Sequence, residues 1–402
     1  MIKRIAIVFL LTCSLFGQTS YYSTYGFGLP SPAISARYLA LGQTGIAIPD
    51  SISLNVSNPA LWDGFMTTSV QGQMGVSSFS TSSDLPGATL SQFLGFSFKF
   101  PIGKDAGFAM GIIPYSRMKG EISYNDSIDF YGEPVRYSSD VDVEGGISEF
   151  FLGGGYRIGE RLSLGLKTRL FFGSYLTRMA TDVLDDGSVN TYYRKYVVVE
   201  GSQLELGAYW ISLNRKLELG ATYTQNLNFD YYRYYDYYFG DDTTTDVQSL
   251  KFPTTFQFGV RRKLGEALAF SADFAYSMVS TSLFEDFSVI NTSSTQDPFC
   301  VGIGLEKQPA IKVNASYWQK MAFRAGAFYK TEAIYQSGKL SETGISFGVG
   351  VPFNHYSNRI DLAVVASIRD GFLSETIGKE KLLSFYASVT TGELWFKRFK
   401  RF

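Results

Sequence analysis

Two cysteines and one histidine are all that the 402-residue chain holds of those two residue types. A single His355 cannot build a Ser-His-Asp set or a histidine-based metal site, so the chain reads as a non-enzyme without cofactor or metal. Cys13 lies inside an N-terminal export segment. Once that segment is removed only Cys300 remains, and no intramolecular disulfide can form. Charge is also sparse, at 18% of residues with a net value of -1, which argues against nucleic acid as a bulk partner. Beyond residue 20 no run of 18 apolar residues occurs, so no helix is expected to span a membrane.

What is present is glycine and aromatic surface: 40 Gly, 27 Tyr and 34 Phe. Those residues favour sheets and tight turns. At the N-terminus Lys3 and Arg4 precede an apolar stretch from Ile5 to Phe16. Gly17 is a small residue ahead of cleavage. This is the pattern of a secretory signal, residues 1–17 with cleavage at 17–20. Lipoprotein processing at Cys13 is the rival reading, and the preceding Thr12 fits it poorly. An exported chain without a membrane helix is either soluble or a membrane β-barrel.

Period-2 alternation marks the strands, and the lengths of their connections decide between the two. In "LSLGLKTRLFFG" (162–173), Leu162, Leu164, Leu166, Leu170 and Phe172 share one face, with Ser163, Lys167 and Arg169 on the other. In "RIDLAVVASIR" (359–369), Ile360, Leu362, Val364 and Ile368 oppose Arg359, Asp361, Ser367 and Arg369. Such purity means strands with one apolar face. Fourteen stretches qualify, near 67–78, 89–100, 106–117, 144–157, 161–175, 196–212, 216–229, 249–262, 267–280, 298–308, 321–331, 343–353, 358–369 and 381–391. Short turns such as 101–105, 157–161, 212–216, 262–267 and 354–358 alternate with longer polar loops such as 176–195, 230–248 and 281–297. The connection 309–320 is longer than that rule wants. An even strand number with short turns on one rim and long loops on the other is the signature of an outer-membrane barrel. The reading is therefore all-β: a transmembrane antiparallel β-barrel of about 14 strands over residues 63–402. A segment, 21–62, comes before the first strand and is too long for a free tail.

Residues 36–60, "ARYLALGQTGIAIPDSISLNVSNPA", resemble the N-terminal signature of the FadL-like outer-membrane transport family, which carries long-chain fatty acids and other hydrophobic compounds. The matching residues are Ala36-Arg37, Gly42, Gly45, Ala47, Asp50, Ser53 and Asn58-Pro59-Ala60. "FPTTFQFGVRRKLGEALAFSADFAYS" (252–277), "ETGISFGVGVPF" (342–353) and "NRIDLAVVAS" (358–367) agree. The barrel subunit of type IX secretion shares much of the N-terminal motif and is the second choice. The resemblance implies a 14-stranded barrel whose segment 21–62 folds into the lumen as a plug. A segment packed under the barrel is the alternative.

Several residues follow as candidates. Pro114 stands in the third strand and cannot donate to a ladder, so that strand should break or bulge there. In the family, a kink in that strand opens a lateral gap; the plainer reading is that the strand ends. Lys167, Arg169, Glu205, Glu218, Arg261, Asp273, Arg324 and Asp361 fall on the predicted lumen face. Ion pairing explains both signs, since buried charges need partners; a substrate-carboxylate site at Arg169, Arg261 or Arg324 is the sharper option. Tyr231, Tyr232, Tyr234, Tyr235, Tyr237 and Tyr238 crowd "YYRYYDYYF" as an extracellular aromatic patch, either a girdle or a capture site. The closing "LWFKRFKRF" (394–402) reads as the barrel's end, with Trp395 and Phe396 at the periplasmic aromatic belt.

The expected function is passive uptake of hydrophobic small molecules, such as long-chain fatty acids, across a bacterial outer membrane, with lateral exit near strand 3. A secretion, assembly or structural barrel without transport is the alternative. Expected partners are outer-membrane lipid, a hydrophobic small-molecule ligand and the barrel-assembly machinery.

Overall fold

A computed structural model describes residues 20–24, 28–32, 34–65, 67–82, 87–184, 190–237, 243–244, 247–249, 252–279, 297–310, 316–332, 340–353 and 358–393. In chain order the strands are β1 (Leu29–Pro30), β2 (Thr68–Thr81), β3 (Ala88–Ile102), β4 (Ala106–Phe130), β5 (Glu133–Ile158), β6 (Leu162–Val183), β7 (Asn190–Ile211) and β8 (Leu217–Tyr237). They continue as β9 (Thr243–Thr244), β10 (Gln248–Ser249), β11 (Thr254–Lys263), β12 (Leu268–Met278) and β13 (Phe299–Lys307). The last four are β14 (Ala322–Glu332), β15 (Leu340–Phe353), β16 (Asn358–Asp370) and β17 (Glu380–Glu393). Fourteen of them form a closed antiparallel barrel, with β17 pairing to β2 from Glu380↔Thr81 to Glu393↔Thr68. The two-residue strands are additions, β1 on β4 and β9 and β10 on β8.

The wall inverts the burial of a water-soluble sheet. On β16, Leu362, Val364 and Ile368 are exposed while Arg359, Asp361 and Arg369 are buried. Leu164, Leu166, Leu170 and Phe172 of β6 are likewise exposed, with Ser163 and Lys167 buried. Lipid is the solvent for the outer face, and the pairing of β17 with β2 closes the sheet so that it has no first or last edge strand. This is an outer-membrane barrel.

Each of the fourteen expected strands is present, and β4 to β8 are much longer than their alternation suggests. β4 and β5 hold 25 and 26 residues, and β6, β7 and β8 hold 22, 22 and 21. A tilted span needs only about 9–11. Much of 176–195 and 230–248, read as loop, is therefore strand. Above the bilayer, lipid no longer demands an apolar outer face, so alternation fades while the backbone ladder continues. β11 to β14 hold 10, 11, 9 and 11 residues, so the wall is tall on one side only. The 309–320 connection contains a capped turn at Tyr317–Lys320. His355, the stretch 281–296 and 394–402 lie outside the described residues.

Candidate functional site

Residues 36–62 run along the inner wall, and the wall receives them on glycine. Gly155 pairs with Gly165, Gly165 with Gly207, Gly220 with Gly259 and Gly304 with Gly326. A Cβ at Gly165 would meet the backbone of Pro59 and Ala60, and one at Gly207 would meet Asn58 and Pro59. At Gly220 and Gly259 it would meet Ile46 and Ala47, and at Gly326 it would meet Leu41 and Gly42. Glycine inside a strand marks such close approach of another backbone. Inward-facing glycines at matched heights are a signal in the sequence separate from the apolar alternation.

The motif residues hold this path. Asn58 Nδ2 donates to the Ile46 and Ala208 carbonyls, and its Oδ1 accepts from the Ala60 amide at 2.9 Å, capping the turn that Pro59 begins. Gly42 adopts φ +66°, and a side chain there would strike the Ala327 and Ile303 carbonyls. The Gly45 and Ile46 amides both donate to Asp273 Oδ2.

Arg37 and Asp50 enter a buried chain of charge. Arg37 pairs with Asp50 and with Glu306 at 3.1 Å. Asp50 pairs with Arg359, Arg359 with Asp361 at 2.6 Å and Asp361 with Arg324 at 2.7 Å. Arg324 and Arg261 both reach Glu306, and Arg261 reaches Glu218 at 2.7 Å. Four arginines thus meet four carboxylates. Burial alone would raise the Asp50 carboxyl; Arg359 and Arg37 outweigh it and hold the group well below the usual carboxylate range.

Beside this network lies a cavity of about 500 Å³, lined by Phe252, Phe299, Phe328 and Tyr115 together with Glu149, Lys167, Arg169 and Glu205. Tyr115, Phe171, Phe229 and Phe252 pack against each other at one side, with Phe229 and Phe252 stacked at 4.1 Å. Lys167 pairs with Glu205 at 2.7 Å and Arg169 with Glu149 at 2.6 Å. Arg169, Arg261 and Arg324 are each ion-paired already, so a ligand carboxylate would have to displace a protein one.

Around Pro114 the two ladders behave differently. On the β5 side pairing continues from Pro114↔Ser148 to Ser116↔Ile147, with Tyr115 bulged out between. On the β3 side it stops at Phe96↔Ile112. Above that point β3 stays with β2 through a bulge at Gln73/Met74, and β4 pairs instead with the chain's own Leu29 and Pro30, opposite Arg117 and Ser116. Arg117 donates across the seam to the Phe93 carbonyl at 3.2 Å. Leu29, Pro30, Leu90, Gln92, Ile113 and Tyr115 line the cavity, so it reaches the seam from inside.

Strand alternation divides the tyrosines. Tyr231 is buried in the lumen cluster, and Tyr232 on the other face is exposed. Tyr235 and Tyr237 gather with Tyr193, while Tyr234 meets Tyr196. Tyr238 lies outside the described residues.

The whole-chain comparison agrees with this geometry. The model of the family described as BamG matches residues 1–401. The chain belongs to the BamG family. No curated protein matches it. Among solved structures, a Pseudomonas aeruginosa FadL homologue is 12% identical, with a TM-score of 0.64 over 91% of this chain and 99% of that one. The Ralstonia pickettii toluene transporter TbuX is 16% identical, with 0.57 over 92% and 99%. The P. putida toluene transporter TodX is 14% identical, with 0.54 over 89% and 98%. These likenesses establish a FadL-like fold.

Proposed function

We propose that the barrel passes small hydrophobic molecules, long-chain fatty acids among them, passively from outside into the outer membrane through the β3–β4 seam. One observation carries this reading: the 500 Å³ cavity abuts the stretch of wall where barrel strands do not pair. Aromatic side chains on its lining suit an apolar ligand, whose gradient and affinity for apolar surface supply the driving force. Residues 21–62 act as a plug. The ion network opposes their withdrawal, because loss of Arg37 and Asp50 would take one buried partner from Glu306 and one from Arg359. Lateral exit avoids that cost. The similar structures named as transporters of toluene support an apolar cargo.

The decisive experiment is purification in mild detergent, mass spectrometry of co-purified lipid, and titration with decanoic acid and an alkylbenzene. Saturable binding at one site per barrel is expected. A barrel that is always empty and binds neither compound overturns the proposal.

The BamG family label favours a second reading, a component of barrel assembly. The tall β4–β8 wall offers protein-contact surface beyond the bilayer. Depletion of the protein separates the two. Loss of many folded barrels from the outer membrane supports assembly, and loss of ligand uptake alone supports transport.

A further inference from the structure

β13 is the shortest strand of the barrel wall, nine residues from Phe299 to Lys307. At about 3.4 Å per residue and a tilt of about 40°, such a strand rises roughly 23 Å, about the height of the apolar band alone. Its outward residues agree. Val301, Ile303 and Leu305 are apolar and exposed, and the next outward residue is already a cation, Lys307. The tall side differs at the same rim. There β5 and β7 carry Tyr156 and Trp210 on the outer face of the strand itself. β13 ends without such a ring.

The connection that follows supplies two. It is the long exception on a rim of short turns, and its Tyr317–Lys320 turn is built to hold its shape. The Ser316 amide donates to Gln319 Oε1 at 3.0 Å, and the Ala310 amide donates to the Gln319 carbonyl at 2.8 Å. Tyr317 and Trp318 are nonetheless 61% and 67% exposed, their rings edge-on at 6.3 Å. Lys307 fixes where the turn lies. Its side chain leaves the outer face of β13 and its Nζ stands 5.0 Å from the ring centre of Phe323, the outward residue opposite it on β14. The same Nζ donates to the Trp318 carbonyl at 3.2 Å. The turn is therefore tied to the base of the lipid-facing wall and not folded under the lumen.

Rings with an apolar body and a polar tip settle at the headgroup level of a bilayer, and short turns of an outer-membrane barrel face the periplasm. We propose that residues 316–320 form a membrane foot, in which Tyr317 and Trp318 insert into the headgroup layer of periplasmic-leaflet phospholipid. Lys307 has two further protons to donate, and it offers them to the phosphates. The occupant is lipid because the patch continues the lipid-facing wall. Leu268, Phe270, Leu305 and Phe323, all exposed, run down to Lys307 on paired strands. The foot sets the depth of the short side, which has no strand to spare, whatever the barrel carries. β4 to β8 need no such device, since their extra length stands clear of the bilayer.

The test places the whole chain and its Trp318→Phe variant in phosphatidylcholine vesicles. The difference between their emission spectra is the light of Trp318. Lipid brominated high on its acyl chains is expected to quench that difference at least about twofold, and more than lipid brominated near the chain ends or acrylamide in the water. Quenching by acrylamide but not by brominated lipid would put the turn in periplasmic water. Shielding from both would put it against protein. Either result overturns the proposal. Hydroxyl-radical labelling of the unaltered chain in the same vesicles decides if the variant does not assemble. Trp318 is open in the protein alone, so protection must come from outside the chain. Oxidation about threefold or more slower than in urea is expected, and oxidation at the unfolded rate overturns the foot.

Discussion

Glu306 shows why charge sits inside this molecule. It is 3% exposed and faces Arg37, Arg261 and Arg324. Only the first belongs to the N-terminal segment, so one carboxylate ties that segment to two wall strands. Glu306→Gln keeps the shape and removes the charge, leaving four arginines to share Asp50, Glu218 and Asp361. The expected loss is about 3–5 kcal/mol, measured as an earlier urea midpoint of the heat-modifiable folded band. A shift no larger than that of an exposed control, Lys381→Gln, would contradict the network. The sequence had this residue in reach. Gly302, Gly304 and Glu306 share the inward parity opposite Val301, Ile303 and Leu305, as Asp273 and Asp361 do on their strands. Residue types and faces were legible; which arginine meets which carboxylate was not, because partners come from strands far apart in sequence.

At the scale of elements, glycine does what charge does not. Gly165 and Gly207 are paired neighbours on β6 and β7, and both lie under the Asn58-Pro59-Ala60 turn. The turn can seat only against wall that has no side chains. Gly207→Val should destabilise the folded barrel by about 1–3 kcal/mol through overpacking, read from the same urea titration. Gly103→Val offers the control for crowding, since nothing lies near a Cβ there, although its φ of +79° adds backbone strain. An effect at Gly207 no greater than at Gly103 would mean that the segment does not rest on this track. Strand ends were the least legible elements. β4 to β8 outrun their apolar alternation because water, unlike lipid, accepts either kind of side chain on the outer face.

The whole molecule turns on an interruption. β4 leaves β3 at Ile112 and takes Leu29 and Pro30 instead. If ligand leaves there, tying those two residues to β4 should stop it. A Pro30→Cys/Ser116→Cys pair in a Cys300→Ser background joins residues that already face each other. Oxidation is expected to lower uptake of an apolar ligand at least about tenfold, with recovery on reduction. Uptake that is indifferent to the bond would place the exit elsewhere.

Alternation, export segment and turn spacing by themselves determined a 14-strand outer-membrane barrel, because lipid on one side and water on the other write a period of two into every spanning strand. The N-terminal motif marked which residues ahead of the barrel matter, and Pro114 marked where a strand is disturbed. Only the tertiary structure decided what those residues do. Closure of the barrel brings Glu306 to three arginines, sets glycines from seven strands under one backbone path, and puts Ser20 against Glu380 across 360 positions of chain. Those are contacts between strands, and a local pattern carries no information about which distant strand will be its neighbour across the lumen.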